Sequence, residues 1–551
     1  MIKNQELVKY EVVPDPIALK GEDVEITING KIPPEFFNKK IKAEITPVIK
    51  YPAESSAPTV RKLKSIVLLG EALEGEGKKV PYDKGASFSY TDKVPYVKEM
   101  ETAVIEFETV GSFKSKSKAF ENKKVADGTV ITQLLVKGDE KVILGTDKFT
   151  RTTPANFTSD INYLISSSVV RPSELRELDI KAMTNFIDSA EEKSINIKKV
   201  NITAYASPDG ELLKNEDLAN DRAQSAVKTT QRIYKNLKVE EGQADDFYSA
   251  TGKGEDWEGF KTEMEKSEIE DRELIIRILK TYTDVEKREK EIKNLSKTYQ
   301  EIAKDIMPKL RRSIITLEAD KEGYSDEELK NLSINSPEML NAEELLKAAT
   351  LYDDLNKKLS IYKAASKQFP NDWRGINNTG YVYFMQNKLS EAKAEFEKAL
   401  AVSNEPAINN NLGAISRLMG DKAKAKEYYD KASGAGPELS YNKGILNIME
   451  GDYTQAVSNL SASKSFNLAL AQLLNANPDA AMKTIDGSEE NGEAMGYYLK
   501  AIAAMRKGSS DLALTNLQEA IKKDGSLKEK AKKDAEFIKL RNDNGFHSVV
   551  N

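Results

Sequence analysis

The segment 200–223 contains four polar residues with the types and spacing of a recognition loop: Ser207, Asp209, Asn215 and Arg222. An alternating stretch leads into a Ser-Pro-Asp-Gly turn at 207–210, and Asn215, Leu218 and Arg222 then recur at intervals of one helix face. A strand and a helix would hold the turn between them, with the Arg222 guanidinium directed back at it. The spacing therefore predicts a loop that recognises a ligand.

Composition removes most catalytic chemistry. The chain has no cysteine, and its one histidine is His547, close to the end. Thiol catalysis, disulfides and Cys/His zinc sites are excluded, and a Ser-His-Asp arrangement would depend on a terminal residue. Carboxylates and lysines are abundant, but no pair stands out, so a carboxylate-based hydrolase is only a third hypothesis. We expect no enzyme activity, no metal and no cofactor.

One glycine-rich stretch invites comparison with a phosphate-binding loop. The sequence TGKGEDWEGF at 251–260 lacks the Gly-Lys-Ser/Thr ending that such a loop requires. We therefore predict no nucleotide site, and interpret Trp257 and Phe260 as core anchors of a helical insertion.

Length and charge predict a multidomain chain without nucleic-acid partners. The 551 residues are too many for one hydrophobic core. The 82 basic and 88 acidic residues are mixed along the chain and leave a net charge of −6, which gives no basic field. No stretch approaches the roughly 18 consecutive apolar residues of a membrane span. We expect no transmembrane segment.

Residues 1–150 predict a β-sandwich. Segments 24–33, 42–51, 102–110 and 128–138 carry β-branched alternation, and Pro, Gly and charged clusters separate them. We expect this domain to be a spacer or binding module.

Residues 151–323 predict an α/β domain, because strand-like and helical segments alternate there. Strands are expected at 157–169 and 198–207 with a helix between them, followed by a second helix at 222–237 and a candidate third strand at 245–256. The charged helical stretch of about 257–308 is expected to be an insertion before a closing strand at 308–320. Residues 324–340 are polar and predict a connector.

Residues 341–551 are helical and contain an internal repeat. Gly380, Gly413 and Gly444 are 33 and 31 residues apart, and Ala392, Ala425 and Ala456 each follow twelve residues later. An aromatic or Leu residue comes four further on, and Pro437 is expected to end a second helix. This pattern is typical of the tetratricopeptide repeat, in which small residues let paired helices approach closely. It predicts an all-α solenoid of about five repeats.

The first helices of such repeats line a concave groove, which we interpret as a protein-binding surface. Aromatic and Arg side chains are enriched in binding hot spots, and two Asn residues have the spacing to hold an extended peptide backbone. The predicted groove residues are Arg374, Asn377, Tyr381, Phe384, Asn410, Arg417 and Tyr441. An alternative stays open, in which this groove packs on the protein's own central domain.

The segment 157–320 resembles the C-terminal OmpA-like domain family, whose members bind peptidoglycan in the periplasm of bacteria with two membranes. Aligned on Arg222 and Ala223, the family pattern places Gly210, Asn215 and Leu218 on their family positions. The Arg-Pro and Arg-Arg pairs at 171–172 and 311–312 also fit. The resemblance implies a peptidoglycan-binding domain in which Arg222 takes a carboxylate of the peptide stem.

Ser207 departs from that family pattern. The family has an Asp there, which pairs with the diaminopimelate ammonium, and a neutral hydroxyl cannot replace a charge-assisted bond that is about twice as strong. Asp209 is the candidate substitute. Two interpretations stay open: Ser207, Asp209, Asn215 and Arg222 bind peptidoglycan, or Arg222 only caps the 207–210 turn.

The whole arrangement resembles a group of Bacteroidota periplasmic proteins associated with outer-membrane complexes. This wider resemblance implies a periplasmic, outer-membrane-associated protein whose export signal or lipid anchor is not visible in this chain. We expect a non-enzymatic scaffold or accessory subunit, for example in β-barrel assembly or protein export, that binds other subunits through its repeats and β domain. The alternative is a peptidoglycan-binding tether between the outer membrane and the cell wall.

Overall fold

The N-terminal region is built from strands in which apolar and polar residues alternate. The computed structural model describes residues 6–52 and 58–551 of the chain. The strands of this region are β1 (Lys9–Lys20), β2 (Asp23–Ile32), β3 (Lys42–Tyr51), β4 (Thr59–Lys62), β5 (Ile66–Gly70), β6 (Lys78–Val80), β7 (Ala86–Pro95), β8 (Val104–Phe113), β9 (Lys116–Ala119), β10 (Lys123–Asp127) and β11 (Thr129–Val130).

These strands form two sheets with a shared core. One sheet has the order β11, β1, β2, β7, and the other has the order β10, β8, β3, β5, β6, with β4 paired to β3 and β9 to β8. Alternation on β2 turns Val24, Ile26 and Ile28 inward, where they join Ile45 and Phe107 of the second sheet in one buried cluster. The N-terminal region is therefore β-rich, as the sequence predicts.

The strand predicted at 128–138 is wrong beyond its first residues. Strand β11 ends at Val130, and a 3-10 helix follows at Thr132–Leu135. The next residues, 137–146, belong to no strand, because asparagine side chains rather than a neighbouring strand bind their main chain. We call residues 137–146 the groove segment.

The central region alternates strands and helices. Its elements are β12 (Thr152–Pro154), β13 (Phe157–Asn162), α1 (Leu178–Asp188), β14 (Ile195–Ala206), α2 (Leu212–Leu237), β15 (Tyr248–Glu255), α3 (Trp257–Lys266), α4 (Arg272–Thr281), α5 (Val285–Asn294), α6 (Ser296–Asp305), α7 (Met307–Leu310), β16 (Arg312–Glu322), α8 (Asp326–Asn335) and α9 (Ala342–Thr350).

A sheet in the order β12, β16, β14, β15 organises this region, and β13 also pairs with β16. Strands β14 and β15 are parallel, with α2 as the crossover between them. Val200 and Ile202 of β14 pack with Ala223 and Ala226 of α2 in the core. Strand β13 stops at Asn162 rather than near 169, since carbonyls of the following loop bind an arginine side chain described below.

Five helices, α3 to α7, lie between β15 and β16 and have their own core. Phe260 and Met264 of α3 pack with Ile275, Ile292 and Ile302, all of them buried, and Trp257 lies at the edge of this cluster. The helical insertion and its aromatic anchors thus lie where the sequence places them.

The segment 324–340, which the sequence predicts to be a polar connector, is largely helical. It contains α8, which Ser325 and Glu328 start with a reciprocal capping box, and a 3-10 helix at Pro337–Met339. Leu329 and Ser333 of α8 are buried, which explains why this polar stretch is ordered as a helix.

The C-terminal region is helical throughout. Its helices are α10 (Leu355–Gln368), α11 (Trp373–Met385), α12 (Leu389–Val402), α13 (Pro406–Leu418), α14 (Lys422–Lys431), α15 (Pro437–Glu450), α16 (Tyr453–Leu460), α17 (Phe466–Leu474), α18 (Pro478–Asp486), α19 (Ala494–Arg506), α20 (Ser510–Lys523), α21 (Leu527–Lys533) and α22 (Asn544–Val550).

Consecutive helices pack in pairs as the predicted repeats require. A Cβ added at Gly380 would lie 2.8 Å from the Phe396 ring, and one at Gly413 would lie 2.4 Å from the Tyr429 ring. Glycine is therefore what lets α11 approach α12 and α13 approach α14, which supports the predicted tetratricopeptide-repeat solenoid. Pro437, however, begins α15 instead of ending α14, since a proline at the first helical position loses no hydrogen bond.

The chain divides into two compact units. Met1–Thr146 and Tyr352–Asn551 form one unit, and Asp147–Leu351 form the other. The β-rich region and the solenoid thus belong to one unit although about 200 residues separate them in sequence.

Candidate functional site

The groove of the solenoid holds the protein's own groove segment. Helices α11, α13, α15 and α17 each direct an asparagine at its main chain. We call these four residues, Asn378, Asn411, Asn442 and Asn467, the asparagine array; each is 1% exposed or less. The surface that the sequence predicts for a partner peptide is here filled from within the chain.

Each member of the array binds both main-chain groups of one residue. The side-chain oxygen accepts the N–H, and the side-chain nitrogen donates to the C=O. The two distances are 2.8 and 3.0 Å for Asn467 on Lys137, 2.7 and 2.8 Å for Asn442 on Lys141, 2.7 and 2.8 Å for Asn411 on Ile143, and 2.7 and 2.8 Å for Asn378 on Gly145. An amide side chain thereby replaces the partner strand of a sheet.

A second pair of asparagines supports the array. Asn377 donates to the Ile143 carbonyl at 3.0 Å and accepts a hydrogen bond from Asn411 at 2.9 Å. Asn410 repeats this arrangement one helix pair later, donating to the Lys141 carbonyl at 2.9 Å. These contacts fix the orientation of the array amides, so that donor and acceptor both face the segment.

Side chains of the groove segment add specificity. Glu140 forms a buried ion pair with Arg417, and Asp139 accepts hydrogen bonds from Tyr441 at 2.7 Å and from Asn467 at 2.8 Å. Burial raises the pKa of the Glu140 carboxyl, and the guanidinium of Arg417 opposes that rise.

Gly145 lets the segment lie directly on α11. A Cβ at this position would be 2.7 Å from Cγ and 3.1 Å from Cα of Arg374. Because a helix backbone cannot move aside, only glycine fits the approach seen here. Arg374 also donates to the Thr146 carbonyl at 3.2 Å, which fixes the end of the segment.

Five of the seven predicted groove residues contact the segment: Arg374, Asn377, Asn410, Arg417 and Tyr441. Tyr381 and Phe384 instead line a cavity of about 830 Å³ beside it. Within the described residues, the predicted groove surface is lined by the protein's own groove segment. The array itself was missed, although an Asn two residues before Gly380, Gly413 and Gly444 repeats in the sequence.

Gln133 joins the β-rich region to the solenoid just before the groove segment. Its side-chain amide accepts the N–H of Gly21 at 2.8 Å and donates to the Gly21 carbonyl at 2.9 Å, in the turn between β1 and β2. The same amide donates to the Met449 carbonyl at 3.3 Å and accepts from Tyr453 at 2.7 Å. Gln133 is 3% exposed, so these hydrogen bonds form away from water.

The second predicted site, in the central domain, brings Ser207, Asp209 and Asn215 together at one turn. Ser207 donates to Asp209 at 2.6 Å, and Asn215 donates to the Ser207 carbonyl at 3.3 Å. Arg311, which was not among the predicted site residues, donates to Asp209 at 2.9 Å and to the Ser207 hydroxyl at 3.0 Å. Asp209 therefore already has a cationic partner.

Arg222 lies apart from these side chains. It is 1% exposed, and its three nitrogens donate to the carbonyls of Ser167 at 3.0 Å, Tyr205 at 2.8 Å and Leu164 at 3.2 Å. Burial lowers its pKa to about 10. In this arrangement Arg222 ties the loop after β13 to the end of β14.

None of the helices within residues 6–52 and 58–551 is both long and apolar enough to cross a membrane. In the same part of the chain, no three His, Asp or Glu side chains lie together as metal ligands.

Comparisons with known proteins find similarity over limited parts of the chain. No family model matches. The BBSome complex member BBS4 from Bos taurus is 26% identical over 130 residues, which are 23% of this chain and 25% of BBS4. The chain thus spans about a quarter of that relative's length.

Solved structures are similar at low identity. The APC/C hetero-tetramer Cut9-Hcn1 matches with 16% identity and a TM-score of 0.32, over 36% of this chain and 42% of that one. A tetratricopeptide repeat protein from Parabacteroides merdae matches with 17% identity and a TM-score of 0.29, over 38% and 90%. Because these TM-scores are low, the repeat assignment rests on the helix pairs described above.

Proposed function

We propose that this protein is a non-enzymatic scaffold, an accessory subunit of an outer-membrane protein complex in the periplasm. One observation carries the scaffold role: the asparagine array binds the main chain of the groove segment. The groove helices of the solenoid bind a segment of their own chain. This contact and the hydrogen bonds of Gln133 hold the β-rich region and the repeats together as one unit. A unit whose two parts are joined by these hydrogen bonds suits the positioning of other proteins.

The periplasmic and outer-membrane part of the proposal is supported by the sequence. It rests on the OmpA-like pattern at 200–223 and on the order of β-rich, α/β and repeat regions. Candidate complexes are those that assemble β-barrels or export proteins.

Purification of the tagged full-length chain from native envelopes tests the scaffold role. We expect defined subunits in constant stoichiometry, and we expect Asn411→Ala with Asn442→Ala to lose some of them, because the two halves of the unit are then loosened. Asn409→Ala is the matched control: Asn409 is buried in the same helix, but it bonds to Asn404 and the Glu405 carbonyl. A wild-type chain that purifies alone would contradict the proposal.

A peptidoglycan tether is the second candidate, favoured by the convergence of Ser207, Asp209 and Asn215 at one turn. A stem-peptide ammonium would have to compete with Arg311 for Asp209. Sedimentation with purified sacculi tests it. We expect Asp209→Asn to lose binding and Asp217→Asn, an exposed carboxylate on α2, to keep it; no binding by the wild type would end this candidate.

A further inference from the structure

The groove segment has a second edge that the asparagine array does not use. In an extended chain, successive residues present their N–H and C=O groups to opposite sides. The array binds Lys137, Lys141, Ile143 and Gly145, all on one edge. On the other edge, the main-chain groups of Gly138, Val142 and Leu144 form no hydrogen bond with any residue in 6–52 or 58–551.

This unused edge borders open space. Residues 138–142 form part of the wall of the cavity of about 830 Å³, together with Tyr381, Phe384 and Tyr441. Gly138 is exposed and Val142 is half-buried, so solvent reaches the edge. Five residues at the rise of a β-strand span about 13–16 Å, which is close to the length of a typical strand.

An unpaired strand edge is a template for another strand. We propose that an extended segment of a partner protein pairs with residues 138–142, as a strand added inside the groove. This inference rests on the proposed scaffold function, because it names the kind of partner segment that the scaffold takes. The asparagine array hydrogen-bonds to one edge of the groove segment, and the partner strand hydrogen-bonds to the other.

The walls of the cavity fit this occupant. Tyr381 and Phe384 of α11 are half-buried and Met385 is 51% exposed, so apolar surface is available for alternate side chains of the added strand. The charges at the rim are mixed, with Lys141 and Lys464 against Glu489. A partner would therefore be recognised chiefly through its main chain, with apolar side chains on one face.

The test uses the full-length chain and a display library of random short peptides. We expect enriched peptides with alternating apolar residues. Val142→Pro removes one main-chain donor from the free edge and leaves the bonds of Lys141 and Ile143 to the array intact, so it should weaken binding about tenfold. Val142→Thr keeps the donor and should bind like the wild type.

Peptide N-methylation probes the same contact from the ligand side. Methylation at the alternate residues that face the groove segment should abolish binding, while methylation at the intervening residues should not. Binding that is indifferent to Val142→Pro and to the methylation pattern, or a library with no enriched peptide, would overturn the inference. Either result could occur with native subunits still co-purifying, which would leave the scaffold role standing.

A second copy of the chain is the competing occupant. It would appear as a concentration-dependent dimer in sedimentation, abolished by Val142→Pro, and that outcome would overturn the assignment to a partner protein.

Discussion

Replacing one member of the asparagine array should open the groove segment measurably. Asn411 accepts the Ile143 N–H at 2.7 Å and donates to its carbonyl at 2.8 Å. In Asn411→Ala both contacts are lost, although the carbonyl keeps Asn377 as a donor at 3.0 Å. Since one hydrogen bond contributes about 0.5–1.5 kcal/mol, and the N–H is left without a partner, docking should weaken by about 2 kcal/mol.

Trypsin provides the assay, because Lys141 lies within the groove segment. When opening and closing are fast relative to cleavage, the cleavage rate follows the population of the open form. A loss of about 2 kcal/mol predicts a roughly 30-fold faster cut after Lys141. Intact-mass spectrometry would identify the fragments 1–141 and 142–551.

Asn409→Ala controls for general damage to α13, since Asn409 is buried there but donates its hydrogen bonds to Asn404 and the Glu405 carbonyl. The reasoning fails if Asn411→Ala leaves cleavage after Lys141 at the wild-type rate. It also fails if the control accelerates cleavage equally.

Three further predictions use the same chain. Gly145→Ala adds a carbon 2.7 Å from a groove side chain and should weaken docking by about 1–3 kcal/mol in the trypsin assay, whereas Gly525→Ala, with no described atom within 4 Å of the added carbon, should not. Glu140→Gln leaves Arg417 buried without its ion partner and should weaken docking by about 3 kcal/mol; adding Arg417→Met should recover part of that loss. Burial raises the pKa of Asp534 to about 6, so the folded protein favours the protonated carboxyl. The free energy of unfolding should therefore fall by about 3 kcal/mol as the pH rises from about 4 toward 6. In Asp534→Asn the melting temperature should depend less on pH over that range.

The strands and helices could be predicted from local patterns in the sequence. Alternation at Val24, Ile26 and Ile28 marks a strand with one buried face, and the glycine of each repeat marks a close helix contact; both signals come from residues near one another in sequence. Such signals also located the helical insertion between β15 and β16. They do not report which distant segment completes a surface.

The groove segment shows that limit. The hydrogen-bonding partners of its main chain are side chains that lie far away in sequence; Ile143 and Asn411 are 268 residues apart. Arg222 shows the same limit, because its partners include the main-chain carbonyls of Leu164 and Ser167. Every residue has such a carbonyl, so the sequence does not mark which ones accept a hydrogen bond. The one visible signal in the sequence is the Asn that lies two residues before Gly380, Gly413 and Gly444. It indicates that the groove binds something but does not identify the bound segment.

Residue-resolved hydrogen exchange of the purified chain tests the central claim most directly. If the asparagine array holds the groove segment, the amides of Lys141, Ile143 and Gly145 exchange slowly, while those of Val142 and Leu144, which lie on the unused edge, exchange fast. Uniformly fast exchange across these five residues would contradict the account, because the segment would then lie free of the groove.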